Sequence, residues 1–405
     1  MSWPHEDGGP ERTQLVPGGL DIGPQSILTI TARNAPAVTM AVTNDAGQVF
    51  LLRHTAGDGA IALVERIDPI TLEPLATSVE LPAGPVWPGG IGVHPDGSLH
   101  VVFGNHAHRL NTNLDVMASA TLPRERPYNS FVTLPSGHLA TKDFGGSLPG
   151  LAIAAEDRDP CELVILDPES LAIVANLVLP EPSIARLSAS GDDIYVVGDT
   201  SLLRVRWDAT SLALELDAAF TAPYRTLDGQ TYGWDCVIAA GAAWFLDNGD
   251  GSEGYTGTLR GNGVSTAPLH LVRVDLVTSA VTLTEICGLP GGLVANPPVV
   301  DEVRRVVVGY DSGNGVLVGF DLDTLAVLWR RDQDHGSHVL LYTATGELVT
   351  ADHTDVVVLD IVTGTELARA DSEGGVQSVL FPAPGFTRDF YLCTFLAITR
   401  VAVTN

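Results

Sequence analysis

The sequence predicts an all-β fold, an eight-bladed β-propeller, from three observations. A unit of four short strands recurs along the chain. One turn signature, Asp-x-x-Thr/Ser, recurs at the same place in the unit. The last unit lacks one strand, while an unattached strand stands near the N-terminus. Seven blades is the alternative count.

The clearest unit is 334–370. Apolar-rich runs at 339–342, 347–350, 356–359 and 365–369 are separated by breaks rich in Gly, Asp, Thr and Ala. Short Val/Leu/Thr runs bounded by turn residues read as strands. Four antiparallel strands in about 35–40 residues is the size of one propeller blade. With that ruler, further units fall at 37–81, 89–122, 127–179, 183–217, 232–287 and 292–330. The eighth, 375–403, supplies three strands, and the run SILTITA at 26–32 supplies the fourth, closing the ring. Closure removes strand edges that an open stack would expose. Residues 1–24 are polar and rich in Pro and Gly and read as a flexible or surface-draped tail, leaving 25–405 as one domain. The Asp-x-x-Thr/Ser turns begin at Asp68, Asp167, Asp275, Asp321 and Asp360. Asp opens such turns by accepting backbone N–H bonds, so these are structural.

Composition narrows the function. A 45% hydrophobic, 18% charged chain is not disordered. A net charge of −27 repels nucleic acid and anionic membranes, which leaves a small molecule as the expected partner. No basic segment followed by an apolar run opens the chain, and no apolar run is long enough for a membrane helix, so the expected location is cytoplasmic. Cys161, Cys236, Cys287 and Cys393 form no CxxC pair and read as buried thiols. Lys142 is the single lysine among 22 basic residues. Composition and motif say nothing of the oligomeric state.

GFDLDTLAVLW, at 319–329, resembles the tryptophan-docking repeat of quinoprotein alcohol dehydrogenase-like eight-bladed propellers, the superfamily that includes YVTN-type propellers. Asp321, Thr324 and Trp329 match its pattern, and Gly319 and Leu325 depart from it. The resemblance implies the repeat architecture. That family generally carries an adjacent-cysteine disulfide at its cofactor, which this sequence lacks, so pyrroloquinoline quinone is not expected. A second stretch, 126–143, resembles the Arg-Pro-x-Asn blade of gluconolactonase and regucalcin-type propellers, which implies Asn129 as a metal ligand; Ser130 stands where that group has Asp.

In a four-stranded blade, the loops between second and third strands and the entries to the innermost strands share one face, around the channel mouth. Irregular loops on a rigid scaffold are where sites sit. Three chemistries compete there. A divalent ion (Ca, Mn, Zn or Fe) would be held by Asn129, Asp247 and His106. Acid–base catalysis would use His335, His338 and His353. Lys142 beside Asp143 would act as electrophile or base. Trp87, Tyr128, Arg186, Trp234, Asp235, Asn296, Asp311 and Asp352 are the expected substrate-binding residues at the same mouth. The expected function is a soluble hydrolase or lyase acting on a small molecule. The alternatives are a non-catalytic binding propeller and a quinoprotein-like oxidoreductase.

Overall fold

In the computed structural model, eight antiparallel sheets stand in a ring. The structure describes the chain except residues 1, 56–58, 84–88, 148–152, 155–156, 253–257, 335–337, 373–377, 384, 386–387 and 405, and the side chain of residue 378. The innermost strands are, in blade order, Val38–Thr43, Gly90–Val93, Tyr128–Thr133, Ser188–Ser190, Val237–Ala239, Val299–Asp301, Leu340–Tyr342 and Ser378–Pro382. Each of the first seven blades runs outward in chain order. The eighth takes its outermost strand, Ile27–Asn34, from the N-terminal side of the chain. That strand pairs with Ala397–Thr404 over eight residues, from Ile27 opposite Thr404 to Asn34 opposite Ala397. The expected closure of the ring is thus present.

Burial follows position in the blade. All six residues of Val38–Thr43 are buried, because neighbouring blades cover both faces of an inner strand. The outer strand Val116–Thr121 shows the alternation of a half-exposed strand. The Asp-x-x-Thr turns form as expected. Asp321 Oδ1 accepts the backbone N–H of Thr324 at 2.7 Å and the Thr324 hydroxyl at 2.7 Å, and Asp360 repeats the arrangement with Thr363. The fifth residue of the turn has positive φ: Gly364 in blade seven and Ser279 in blade five, but Leu72, Leu171 and Leu325 in the other three. Leucine disfavours that region by roughly 1–2 kcal/mol; Leu72 and Leu171 are buried, and their packing opposes that cost.

Trp329 docks one blade on the next. Its Nε1 donates to Ile361 O of blade seven at 2.9 Å. The ring lies against Gly319 of its own blade and Gly364 of the next, where a Cβ would come within 2.3 Å and 2.5 Å of it. Both positions therefore need glycine, which explains why Gly319 departs from the motif.

The N-terminal segment lies elsewhere than a surface tail. Residues 2–22 form a strap inside the ring that visits the blades in order. Trp3 pairs with Thr43 of blade one. Pro4 O accepts Val93 N–H of blade two, Pro10 O accepts Ala189 N–H of blade four, and Glu11 O accepts Ile238 N–H of blade five. The Gln14 side chain donates to Pro298 O of blade six, and Leu15–Val16 pair in parallel with Leu341 and Tyr342 of blade seven. The strap ends at Glu347, whose carboxylate accepts the N–H groups of Leu20, Asp21 and Ile22. The inner strands present unpaired backbone groups to the channel, and the strap supplies their partners. Composition does not reveal this, because the partners are backbone groups.

Trp329→Ala is expected to lower stability by about 3–5 kcal/mol, the usual range for emptying a buried tryptophan site. Urea unfolding should show a lower midpoint at unchanged slope. A change below about 1 kcal/mol, the size of an ordinary surface substitution, would show that the docking contact does not hold blades six and seven together.

Candidate functional site

The strap brings charge to the centre of the ring. Nη2 of Arg12 lies 3.0 Å from Glu6 Oε2, 2.6 Å from Asp7 Oδ2 and 3.1 Å from Asp235 Oδ2. Arg186, at the entry to blade four, reaches Glu6 Oε2 with Nε at 2.8 Å and Asp235 Oδ2 with Nη1 at 3.2 Å. Its backbone N–H also donates to Asp235 Oδ1 at 2.6 Å. His338, at the entry to blade seven, shares a hydrogen bond of 2.7 Å between Nδ1 and Asp7 Oδ1. All six side chains are buried, Arg186 being the most exposed at 9%. Arg186, Asp235 and His338 each stand two residues before an inner strand, so the repeat itself aims them at the axis.

The charges set one another. Burial opposes ionisation of Asp7, but His338 and Arg12 outweigh it and hold the carboxyl below the usual carboxylate range. Burial likewise opposes Asp235, and Arg12 with Arg186 overcomes it. Burial works against the His338 imidazolium, yet the Asp7 carboxylate beside it raises its pKa above 6.5. Three carboxylates thus face two guanidiniums and one imidazole that favours its charged form.

Around this cluster are buried polar atoms without a hydrogen-bond partner: Asn129 Oδ1, Asn296 Oδ1, Trp234 Nε1 and Glu6 Oε1. Each belongs to an inner-strand entry, an inner strand or the strap. Among the described residues, Glu6, Asp7 and His338 form a group whose candidate ligand atoms lie within 4.8 Å of one another and could hold a metal ion.

Of the residues expected at the mouth, Arg186, Asp235 and His338 come together. The expected metal set does not. Asp247 Oδ2 is taken by Gln230 Nε2 and His270 Nδ1, both at 2.8 Å, and Oδ1 by His270 N–H at 2.6 Å. His106 starts the third strand of blade two, with its ring stacked 6.1 Å from that of His108. Asn129 lies on the inner strand of blade three. Lys142 is fully buried, its amine donating to the carbonyls of Asp143 and Ser183, and burial lowers its pKa. Asp143 accepts Glu162 N–H and pairs with Arg126, so neither residue is open to a substrate.

Tyr128 is buried, and its hydroxyl accepts Arg124 N–H. Asp311 caps its own turn by accepting Leu293 and Asn314 N–H groups. Asp352 pairs with Arg369 at 2.7 Å, and His353 is exposed at a turn with φ of 57°. These are loop caps and surface pairs rather than parts of the hub. Trp87 and His335 lie outside the described residues. Glu6, Asp7 and Arg12 were not anticipated. Their only trace in sequence is the charged run HED–ER inside a segment that also carries an aromatic, Trp3.

In blades three and five the second and third strands are far apart in sequence, Leu139–Asp143 before Glu162–Leu166 and Ala242–Leu246 before His270–Asp275. The Arg158 guanidinium lies 4.8 Å above the Tyr232 ring, and the Tyr232 hydroxyl donates to Asp250 at 3.2 Å. Beneath them burial pushes the Asp199 carboxyl up to about 6. The four cysteines are free thiols, three of them buried. No helix among the described residues is long and apolar enough to cross a membrane.

No protein-family model matches the chain, and no curated protein matches it. Solved structures match its fold. BamB from Moraxella catarrhalis aligns at 12% identity and TM-score 0.60, over 93% of this chain and all of that one. The quinohemoprotein alcohol dehydrogenase from Comamonas testosteroni aligns at 10% identity and TM-score 0.67, over 99% of this chain and 80% of that one. A europium-containing methanol dehydrogenase aligns at 9% identity and TM-score 0.63, over 96% and 89%. The chain therefore has the eight-bladed propeller fold seen in quinoprotein dehydrogenases and BamB.

Because Asp7 raises the pKa of His338, the pair stabilises the fold fully below pH 6.5. That contribution is lost as pH rises through the raised value. In nitrogen-resolved NMR of histidine-labelled protein, His338 should titrate above 6.5, and Asp7→Asn should bring it below. An unchanged midpoint in Asp7→Asn would separate the two groups.

Proposed function

We propose that the protein is an enzyme acting on a small molecule at the channel mouth, a hydrolase or lyase in which His338 is the general acid. One observation carries this: Asp7 holds His338 Nδ1 at 2.7 Å, and Nε2 makes no hydrogen bond to a described residue. An imidazolium with one nitrogen anchored and the other open can donate a proton to a leaving oxygen or nitrogen. Arg12 keeps Asp7 ionised, so the carboxylate orients the ring and does not take its proton. The resulting neutral His338 then accepts a proton from the attacking water in a hydrolysis, or from the substrate carbon adjacent to the one that loses the leaving group in an elimination.

The charge balance favours this over a metal. Glu6, Asp7 and Asp235 are neutralised by Arg12, Arg186 and protonated His338, and Arg12 occupies the space between the three carboxylates. Were a divalent ion bound, Glu6, Asp7 and His338 would hold it, and it would supply Lewis acidity; Arg12 would have to yield its place. A quinone polycarboxylate fits less well. Both guanidiniums that would meet its carboxylates are already paired, and the cysteines are not adjacent.

A binding propeller without catalysis is the second reading. It is favoured by the depth of the hub, where Trp234 and His338 are each only 7% exposed. The test is turnover of aryl esters, sugar and aliphatic lactones and hydroxy acids by wild type and His338→Gln. General acid catalysis predicts a loss in kcat of about 10²–10⁴-fold in the variant. Asp7→Asn should move the alkaline limb of the kcat profile to lower pH. Equal rates in wild type and His338→Gln would remove the acid role. Thermal stabilisation by a compound that is never turned over would favour the binding reading.

A further inference from the structure

The contacts that tie the hub together also place three unpartnered polar side chains on one arc of the ring. Asn129 of blade three stands one residue before Ser130, whose hydroxyl accepts the Leu187 N–H at 3.4 Å, next to Arg186. Trp234 of blade five stands one residue before Asp235, the partner of both Arg12 and Arg186. Gln14 of the strap joins blades six and seven. It donates to Pro298 O at 2.9 Å and accepts the Val339 N–H at 3.0 Å. Asn296 stands two residues before Pro298, as His338 stands one before Val339. Inner strands begin at the mouth, so each of these residues lies on the mouth side of the contact that binds its blade to the hub.

All three are more than nine-tenths buried. Asn129 Oδ1, Asn296 Oδ1 and Trp234 Nε1 have no hydrogen-bond partner, and neither has Glu6 Oε1 of the strap. Three of these atoms accept and one donates. A ligand that leaves such atoms unmet is penalised, because a buried polar group without a partner loses its hydration and gains nothing. Resting on the reading that the hub mouth is the substrate site, we propose that its ligand is an uncharged, polyhydroxylated small molecule, whose hydroxyls pair with Asn129, Asn296 and Trp234 beside His338.

Hydrogen-bond capacity and charge separate the ligand classes. A carboxylate or phosphate only accepts, so it leaves the acceptors unmet. The guanidiniums it would seek are already paired, Arg12 with Glu6, Asp7 and Asp235, and Arg186 with Glu6 and Asp235. An ammonium only donates, so it leaves Trp234 unmet. The carboxylates that would attract it are already answered by Arg12, Arg186 and His338. An apolar ligand meets none of the four atoms. A hydroxyl both donates and accepts, as water does, and so can take water's place without losing a bond. Two neighbouring hydroxyls also match the carbonyl and the amine of one asparagine amide, whichever way that amide is turned.

Calorimetric titration of the full chain tests this without requiring turnover. The neutral probes are sorbitol, myo-inositol and methyl β-glucopyranoside. Gluconate, glucosamine and cyclohexanol are the anionic, cationic and apolar counterparts. At least one neutral probe should bind with Kd below about 1 mM, the upper end of ordinary substrate constants. Each counterpart should bind at least about tenfold more weakly. Asn129→Leu and Asn296→Leu remove the amide at similar size, and Trp234→Phe removes the N–H and keeps an aromatic ring. Each should weaken binding of the neutral probe by about tenfold, the size of one hydrogen bond, and any one that folds serves. Binding of a neutral probe that is never turned over would remove the acid role of His338 and support the ligand class. Failure of all three neutral probes to bind would overturn the proposal. So would tighter binding of a counterpart, or unchanged affinity in every folded variant.

Discussion

Everything at the centre of this ring hangs on one guanidinium. Nη2 of Arg12 bridges two carboxylates of the strap and one of blade five. Burying three carboxylates without cations would cost far more than a domain's net stability. With Arg12, Arg186 and His338 present, the cluster has no net charge to desolvate. Buried ion pairs add little net stability over apolar packing, but losing one partner costs about 3–5 kcal/mol. The cluster therefore works as a lock. It fixes which residues of the strap sit at the axis, and it penalises any other register.

The strap solves a problem common to rings of blades. Inner strands leave unpaired backbone groups along the channel, and a buried unpaired group costs about 1–3 kcal/mol. Water satisfies them in an open channel; here a peptide does so in blades one, two, four, five and seven. The same N-terminal stretch then crosses to the outside and supplies the last strand of blade eight. The first residues made are thus among the last to find their partners, since Ile27–Asn34 must await Ala397–Thr404. Such long-range pairing slows folding through the entropy of closing large loops.

The repeat was legible because its turns carry local chemistry. Asp-x-x-Thr needs only its own four residues, so sequence alone placed five copies correctly, and the missing strand of blade eight identified its donor at 26–32. Arg186, Asp235 and His338 were legible as mouth residues because each precedes an inner strand. The strap was not legible. Its polar residues look solvated until their partners are known, and those partners lie 223 residues away for Arg12 and 331 for Asp7. Nor could sequence tell that Asp143, Asp247 and Asp311 have spent their lone pairs on neighbouring N–H groups.

Radial distance explains which mouth residues reach the axis and which do not. Strands in a sheet are spaced by about 4.8 Å. A tip between the second and third strands stands about one and a half spacings, roughly 7 Å, farther from the axis than an inner-strand entry. A short turn such as Asp352–His353 cannot cover that gap, and its side chains pair locally with Arg369 or face solvent. A long loop can, and blades three and five have such loops. Entries start close to the axis and need no length at all. In this fold the chemistry of the hub is therefore set by the residues just before each inner strand, joined by whatever segment fills the channel. Charged residues on short second-to-third turns belong to the outer rim, however many of them gather on one face.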